Sequence, residues 1–98
     1  MRISTEEANS IKTISCKVFG AGCQVWLFGS RADDSLRGGD IDLYLETSCT
    51  DSIAQKKLEM RRELLKVFGD QKIDLVVHQK DLPLKPFHEL AKSSGVEL

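Results

Sequence analysis

Gly39-Asp40-Ile41-Asp42-Leu43-Tyr44-Leu45-Glu46 is the stretch on which the fold turns. Ile41, Leu43 and Leu45 alternate with Asp40, Asp42 and Tyr44. A period of two belongs to a strand, so residues 40–46 predict a half-buried strand. Its two aspartates leave the same face, about 6–7 Å apart along the chain.

Working upstream, Gln24-Val25-Trp26-Leu27-Phe28 is a short apolar, β-favouring run, read as a buried strand with Trp26 and Phe28 in the core. Gly29 ends it, and residues 30–39, with polar groups and the Gly38-Gly39 pair, read as a loop with room for one helical turn. Ser4-x-x-Glu7 has the form of a capping box. Behind it Ala8, Ile11, Ile14 and Val18 recur at helical spacing, predicting a helix to about Phe19 that Gly20-Ala21-Gly22 stops.

Downstream, Asp51 or Ser52 caps a long helix whose expected apolar stripe is Ile53, Ala54, Leu58, Leu64, Leu65 and Phe68, closed by Gly69. Lys56, Lys57, Arg61, Arg62 and Lys66 fall largely outside the stripe. A solvated helix face is the favoured reading for them over a docking face for an acidic partner. Lys72 to His78 predicts a third strand, Pro83 and Pro86 bracket a loop, and Phe87 to Lys92 predicts a short terminal helix. The order is α-β-β-α-β-α. Because the connections do not repeat as βαβ units, the expectation is an α/β (α+β) fold rather than a Rossmann fold. It has a small mixed β-sheet with helices packed on one face, in a single domain over residues 1–98.

With 98 residues, one core is all the chain can build. The net charge of −1 lacks the positive excess that wrapping a long nucleic acid requires, so long DNA or RNA is a disfavoured partner. No run of residues approaches the roughly 20 apolar positions of a membrane span. The polar, acidic start is unlike a secretory signal, so the expected location is cytoplasmic. Three cysteines, Cys16, Cys23 and Cys49, show no paired Cys/His spacing, and free buried or half-buried thiols are expected.

The chemistry is concentrated between Phe28 and Asp42. Two carboxylates as close as Asp40 and Asp42 repel when both are ionised, and a divalent cation with hard oxygen ligands relieves that. Asp74 in Ile73-Asp74-Leu75-Val76-Val77 has the phase of the polar side of its strand. If that strand pairs beside the Asp40 strand, Asp74 joins the cluster. Three acids on one face suit two-metal phosphoryl transfer. Gly29-Ser30 follows a strand and can open a helix whose free N–H groups and Ser30 hydroxyl meet a phosphate, with Asp33 completing a capping box. Asp33 and Asp34 are then expected to point away. Arg31 or Arg37 is placed to meet phosphate oxygens, neither assignment being forced. His78, on the parity of Asp74, is a weaker acid/base candidate, and His88 reads as surface or packing.

Gly29-Ser30, a spacer, Gly39-Asp40-Ile41-Asp42 and the later Asp74 strand together resemble the signature of the DNA polymerase beta nucleotidyltransferase superfamily. The likeness spans roughly residues 5 to 80. The nine residues between Ser30 and Asp40 are one fewer than in many small members. The resemblance implies that Asp40, Asp42 and Asp74 ligate Mg2+, with two ions expected, and form the catalytic set. Gly29, Ser30, Arg31 and Gly39 would hold the triphosphate of ATP, the nucleotide donor. The short chain resembles the minimal nucleotidyltransferase (MNT) branch. Its members pair with a small helical partner of the HEPN type in toxin–antitoxin systems and can transfer AMP from ATP onto a toxin tyrosine. The implied function is therefore a magnesium-dependent nucleotidyltransferase, an antitoxin acting on a hydroxyl of such a partner, in a homo- or hetero-oligomer left open. The alternatives are a non-catalytic binding module that neutralises a partner by complex formation, and a nucleotide-binding sensor.

Overall fold

The computed structural model describes residues 3–29, 40–69 and 71–98. The elements run α1 (Thr5–Phe19), β1 (Gln24–Phe28), β2 (Ile41–Thr47), α2 (Ile53–Phe68), β3 (Ile73–Gln79), α3 (Pro86–Ser94) and β4 (Val96–Glu97). Among the described residues these elements follow the succession α-β-β-α-β-α, with one addition: the two-residue β4 returns after α3 and pairs antiparallel with β1 through Trp26 and Leu27. Among the described residues the sheet order is β3-β2-β1-β4. β1 and β2 are antiparallel while β2 and β3 are parallel, so the sheet is mixed, as its connections require.

One face of the sheet carries the main core. Val25, Leu27, Ile41, Leu43, Leu45, Ile73 and Leu75 pack there with Ile11, Ile14, Val18, Met60 and Leu64 of α1 and α2. The capping box at the start of α1 forms: Ser4 Oγ accepts from Glu7 N at 3.0 Å, and Ser4 N donates to Glu7 Oε1 at 2.8 Å.

The expectation that the helices share one face is corrected by α3. It lies across the opposite face, where Ala91 packs against Trp26 and Tyr44, and Lys92 Nζ stands 5.0 Å from the Trp26 ring centroid. Tyr44 is therefore fully buried, and β2 is covered on both sides rather than half-buried. A third helix starts one residue earlier than expected, at Pro86, because proline fits the first helical turn, where its missing N–H costs nothing.

α2 also departs from its expected stripe. Met60 and Leu64 are its fully buried residues, whereas Leu58 is 51% and Leu65 40% exposed. At about 100° per residue, Ile53, Met60, Leu64 and Phe68 share one face, and Leu58 and Leu65 sit about 120–140° from Ile53. Ser52 occupies the N-cap as expected but makes no side-chain cap bond. Asp51 is instead engaged by Lys56 Nζ at 3.6 Å, and Lys56 Nζ also donates to Cys49 Sγ at 2.6 Å. The three thiols are free; Cys23 and Cys49 are half-buried, but Cys16 is exposed because it falls on the outer side of α1, away from Ile11, Ile14 and Val18. Among the described residues no helix is long and apolar enough to cross a membrane.

Candidate active site

β2 and β3 bring the acids together. Their parallel register makes Asp42 and Asp74 direct Cα partners on adjacent strands. Both are at the polar phase of strands whose alternate residues, Ile41, Leu43, Ile73 and Leu75, are held in the core. Burial first, then the neighbouring Asp74 side chain and the charge of Asp40, raises the Asp42 pKa above its ordinary 3.8. Lys72 acts in the opposite direction. Two carboxylates side by side repel when both are ionised, and a cation between them would relieve that repulsion.

Gly29 closes the other side of Asp42. Phe28 is the register partner of Asp42 on β1, and a Cβ at Gly29 would overlap Asp42 Oδ2. Gly29 also has φ of 73°, in the region that glycine adopts without a steric penalty. Here the backbone comes close to a carboxylate.

Asp40 lies just ahead of β2, half-exposed, with Oδ2 3.9 Å from Lys72 Nζ. It is close enough to Asp42 to raise its pKa, yet among the described residues no group of three or more acidic, imidazole or thiol side chains is already gathered to ligate a metal. The donor chemistry nevertheless fits magnesium: two hard carboxyls side by side on adjacent strands, with a third nearby, match an ion that takes one or two protein carboxylates and draws its other ligands from phosphate and water. Ser30, Arg31 and Gly39 lie outside the described residues, as do Asp33, Asp34 and Arg37.

The acids open into a cleft of ≈ 390 Å³ whose lining includes Phe28, Asp42, Lys57, Arg61, Asp74 and Phe87. Phe28 and Phe87 meet edge to face, with ring centroids 6.0 Å apart. Lys57 and Arg61 were read as part of a solvated stripe. Both are exposed on α2, but they border the cleft because they follow the buried face of the helix toward β3. Helical periodicity applied to Met60 and Leu64, rather than to Leu58 and Leu65, is the signal that locates them.

His78 is elsewhere. It pairs in register with Glu46, four residues beyond Asp74, or about 13 Å along the strand. Its Nδ1 is 3.4 Å from Tyr44 Oη and its Nε2 is 3.0 Å from Leu82 O. Tyr44 Oη donates to Glu46 Oε2 at 2.7 Å, and Lys92 Nζ reaches the same oxygen at 3.1 Å. Burial pushes the Glu46 carboxyl up, but Tyr44 and Lys92 outweigh it and hold the pKa below its ordinary value. The His88 ring stands 4.5 Å from that of His78, and burial, then the His78 charge, pushes its pKa down. These groups knit α3 and its leading loop to the sheet, and His78, Leu82 and His88 line a separate cavity of ≈ 470 Å³.

Neither a protein-family model nor a curated protein sequence matches the chain.

Proposed function

We propose that this protein is a magnesium-dependent nucleotidyltransferase that moves AMP from ATP to a hydroxyl acceptor. The observation that carries the reading is the direct pairing of Asp42 with Asp74 on adjacent strands, beside a glycine backbone that admits no side chain. Acids grouped at a cost in repulsion, at the mouth of a cleft with cationic and aromatic walls, suit a charged ligand brought with its own cation.

Asp40, Asp42 and Asp74 would hold the magnesium. When bound, it supplies Lewis-acid stabilisation of charge on the phosphates and makes the acceptor hydroxyl more acidic. Asp74, on β3, would take the proton of the acceptor hydroxyl as its oxygen attacks the α-phosphate and pyrophosphate leaves. Gly29 keeps the backbone close beside Asp42, and Phe28 and Phe87 form an aromatic wall against which a base can rest. The polymerase beta-like resemblance favours a protein hydroxyl, a tyrosine of a small helical HEPN-type partner, as acceptor and an antitoxin role in the cytoplasm.

Incubation with ATP labelled at the α-phosphate, magnesium and the product of a neighbouring helical-protein gene tests this. Label should move to protein, and Asp42→Asn and Asp74→Asn should each abolish it. Transfer that survives both substitutions ends the reading.

A non-catalytic binding module is favoured by a different observation. Leu82, Leu84, Phe87 and Leu90 are each 42–62% exposed along α3 and its leading loop, an apolar surface of the kind that partners cover. Partner neutralisation unchanged in Asp42→Asn, with no label transferred, would select that alternative.

A further inference from the structure

β1, β2 and β3 lie side by side in that order. Gly29, Asp42 and Asp74 consequently form a row across the sheet, with Asp74 on β3, the outermost strand among the described residues. Beyond Asp74, Lys57 and Arg61 complete the wall of the same cleft. Four residues apart on α2, they lie on one side of the helix. Among the described residues neither has an ion-pair partner, whereas Lys56 pairs with Asp51 and Lys66 with Glu63. A smaller hollow of ≈ 190 Å³ continues from them along Ala54, Leu58 and Leu75. The acids therefore have a glycine turn on one side and, on the other, an apolar groove with a cationic mouth beside β3, whose outer side carries no strand among the described residues.

We infer that Lys57 and Arg61 select the acceptor, and that it is an acidic peptide segment. The assignment rests on the nucleotidyl-transfer reading, which puts the triphosphate on the Gly29 side of Asp42 and leaves the Asp74 side to the acceptor. The segment's hydroxyl side chain meets Asp74, a neighbouring carboxylate meets Lys57 and Arg61, and an apolar side chain enters the groove at Leu58 and Leu75. Two cations set in apolar surface match a peptide with one or two acids. A nucleic-acid strand carries a charge at every phosphate and calls for a longer basic track, which a chain of net charge −1 is poorly placed to offer. The edge of β3 also presents backbone groups that an extended peptide can pair with.

Fluorescence anisotropy on the full chain tests this with three labelled probes: a tyrosine peptide flanked by aspartate, glutamate and leucine, the same peptide with lysine for its acids, and a single-stranded oligonucleotide. The acidic peptide should bind best and weaken with added salt. Lys57→Glu combined with Arg61→Glu should weaken it by about tenfold or more, while Arg62→Glu, turned about 100–140° away around α2 and outside the lining of both hollows, should leave it unchanged. Both changed positions are exposed, and circular dichroism checks that the double variant is folded. No binding, equal binding of the two peptides, tighter binding of the oligonucleotide, or equal losses in all charge-reversed variants overturns the assignment. Labelled-ATP transfer by the wild-type chain, run alongside, reports separately on the transfer reading. Its failure with peptide selectivity intact sinks the enzyme and leaves Lys57 and Arg61 as a peptide-selecting surface.

Discussion

Asparagine in place of Asp42 should make the metal-free protein more stable at neutral pH. Asp42 and Asp74 are register partners on adjacent strands, which sets their carboxyls about 5 Å apart. Two unit charges at that distance repel by about 3 kcal/mol at an effective dielectric constant of about 20, and by under about 1 kcal/mol in bulk water. Asp42 is half-buried, so relief of about 1–2 kcal/mol is expected, or about 5–10 °C in melting temperature for a domain of this size. The pH dependence has a definite sign. Burial first, then Asp74 and Asp40, push the Asp42 pKa above 3.8. A carboxyl whose folded pKa is raised contributes its stability below the unfolded pKa and loses it as pH rises through the folded value. The advantage of Asp42→Asn should thus be small near pH 4 and grow toward neutrality. Thermal melts followed by circular dichroism, in chelator across that range, provide the measurement. Magnesium should then raise the wild-type melting temperature and narrow the gap, since a ligand that binds only the folded state stabilises it. A variant that melts at or below the wild-type temperature at neutral pH, or a gap that ignores pH, would refute the reasoning.

Gly29→Ala forces a side chain into Asp42 at a positive φ. It should cost about 1–3 kcal/mol in urea denaturation and remove the magnesium-induced stabilisation. Leu64→Ala should cost about 2–5 kcal/mol, against a change within about 0.5 kcal/mol for Leu65→Ala, because only Leu64 is buried; equal effects would disprove the orientation of α2. Tyr44→Phe removes the 2.7 Å bond to the buried Glu46 carboxylate and should cost about 1–2 kcal/mol by the same denaturation measurement. Tyr44 and Lys92 hold the Glu46 pKa down against burial. Their contribution is therefore present above its unfolded value and lost as pH falls through the folded one, and the Tyr44→Phe penalty should shrink in acid.

The order of the elements was legible wherever one physical signal dominated. Ser4 and Glu7 announce α1 because a capping box is local, and the alternation of Ile41, Leu43 and Leu45 announces β2 because one of its faces is uniformly apolar. β4 was not legible. Val96 and Glu97 have no pattern of their own and are strand because the path of α3 returns them to Trp26 and Leu27. The second covered face was hidden for a related reason. Tyr44 alternates with aspartates and reads as polar, and only the arrival of Ala91 and Lys92 turns its ring into core and its hydroxyl into a buried donor. On α2, counting apolar residues spread the stripe too wide. Leu58 and Leu65 belong to it by composition but not by angle.

The site divides along the same line. Asp40, Asp42 and Asp74 could be named in advance because strand periodicity fixes which face a residue takes, but not which strands are neighbours. That the β3 register places Asp74 beside Asp42, and not beside Tyr44 two residues on, is a tertiary fact; a shift of two residues would keep every side chain on its face and still separate the acids. Lys57 and Arg61 enter the site only because β3 is an edge strand. With no further strand beyond it among the described residues, α2 overhangs the border of the sheet and brings its cations to the mouth of the acid cleft. The half-buried carboxyl pair is thereby joined, across the outer side of β3, to a basic, partly apolar flank.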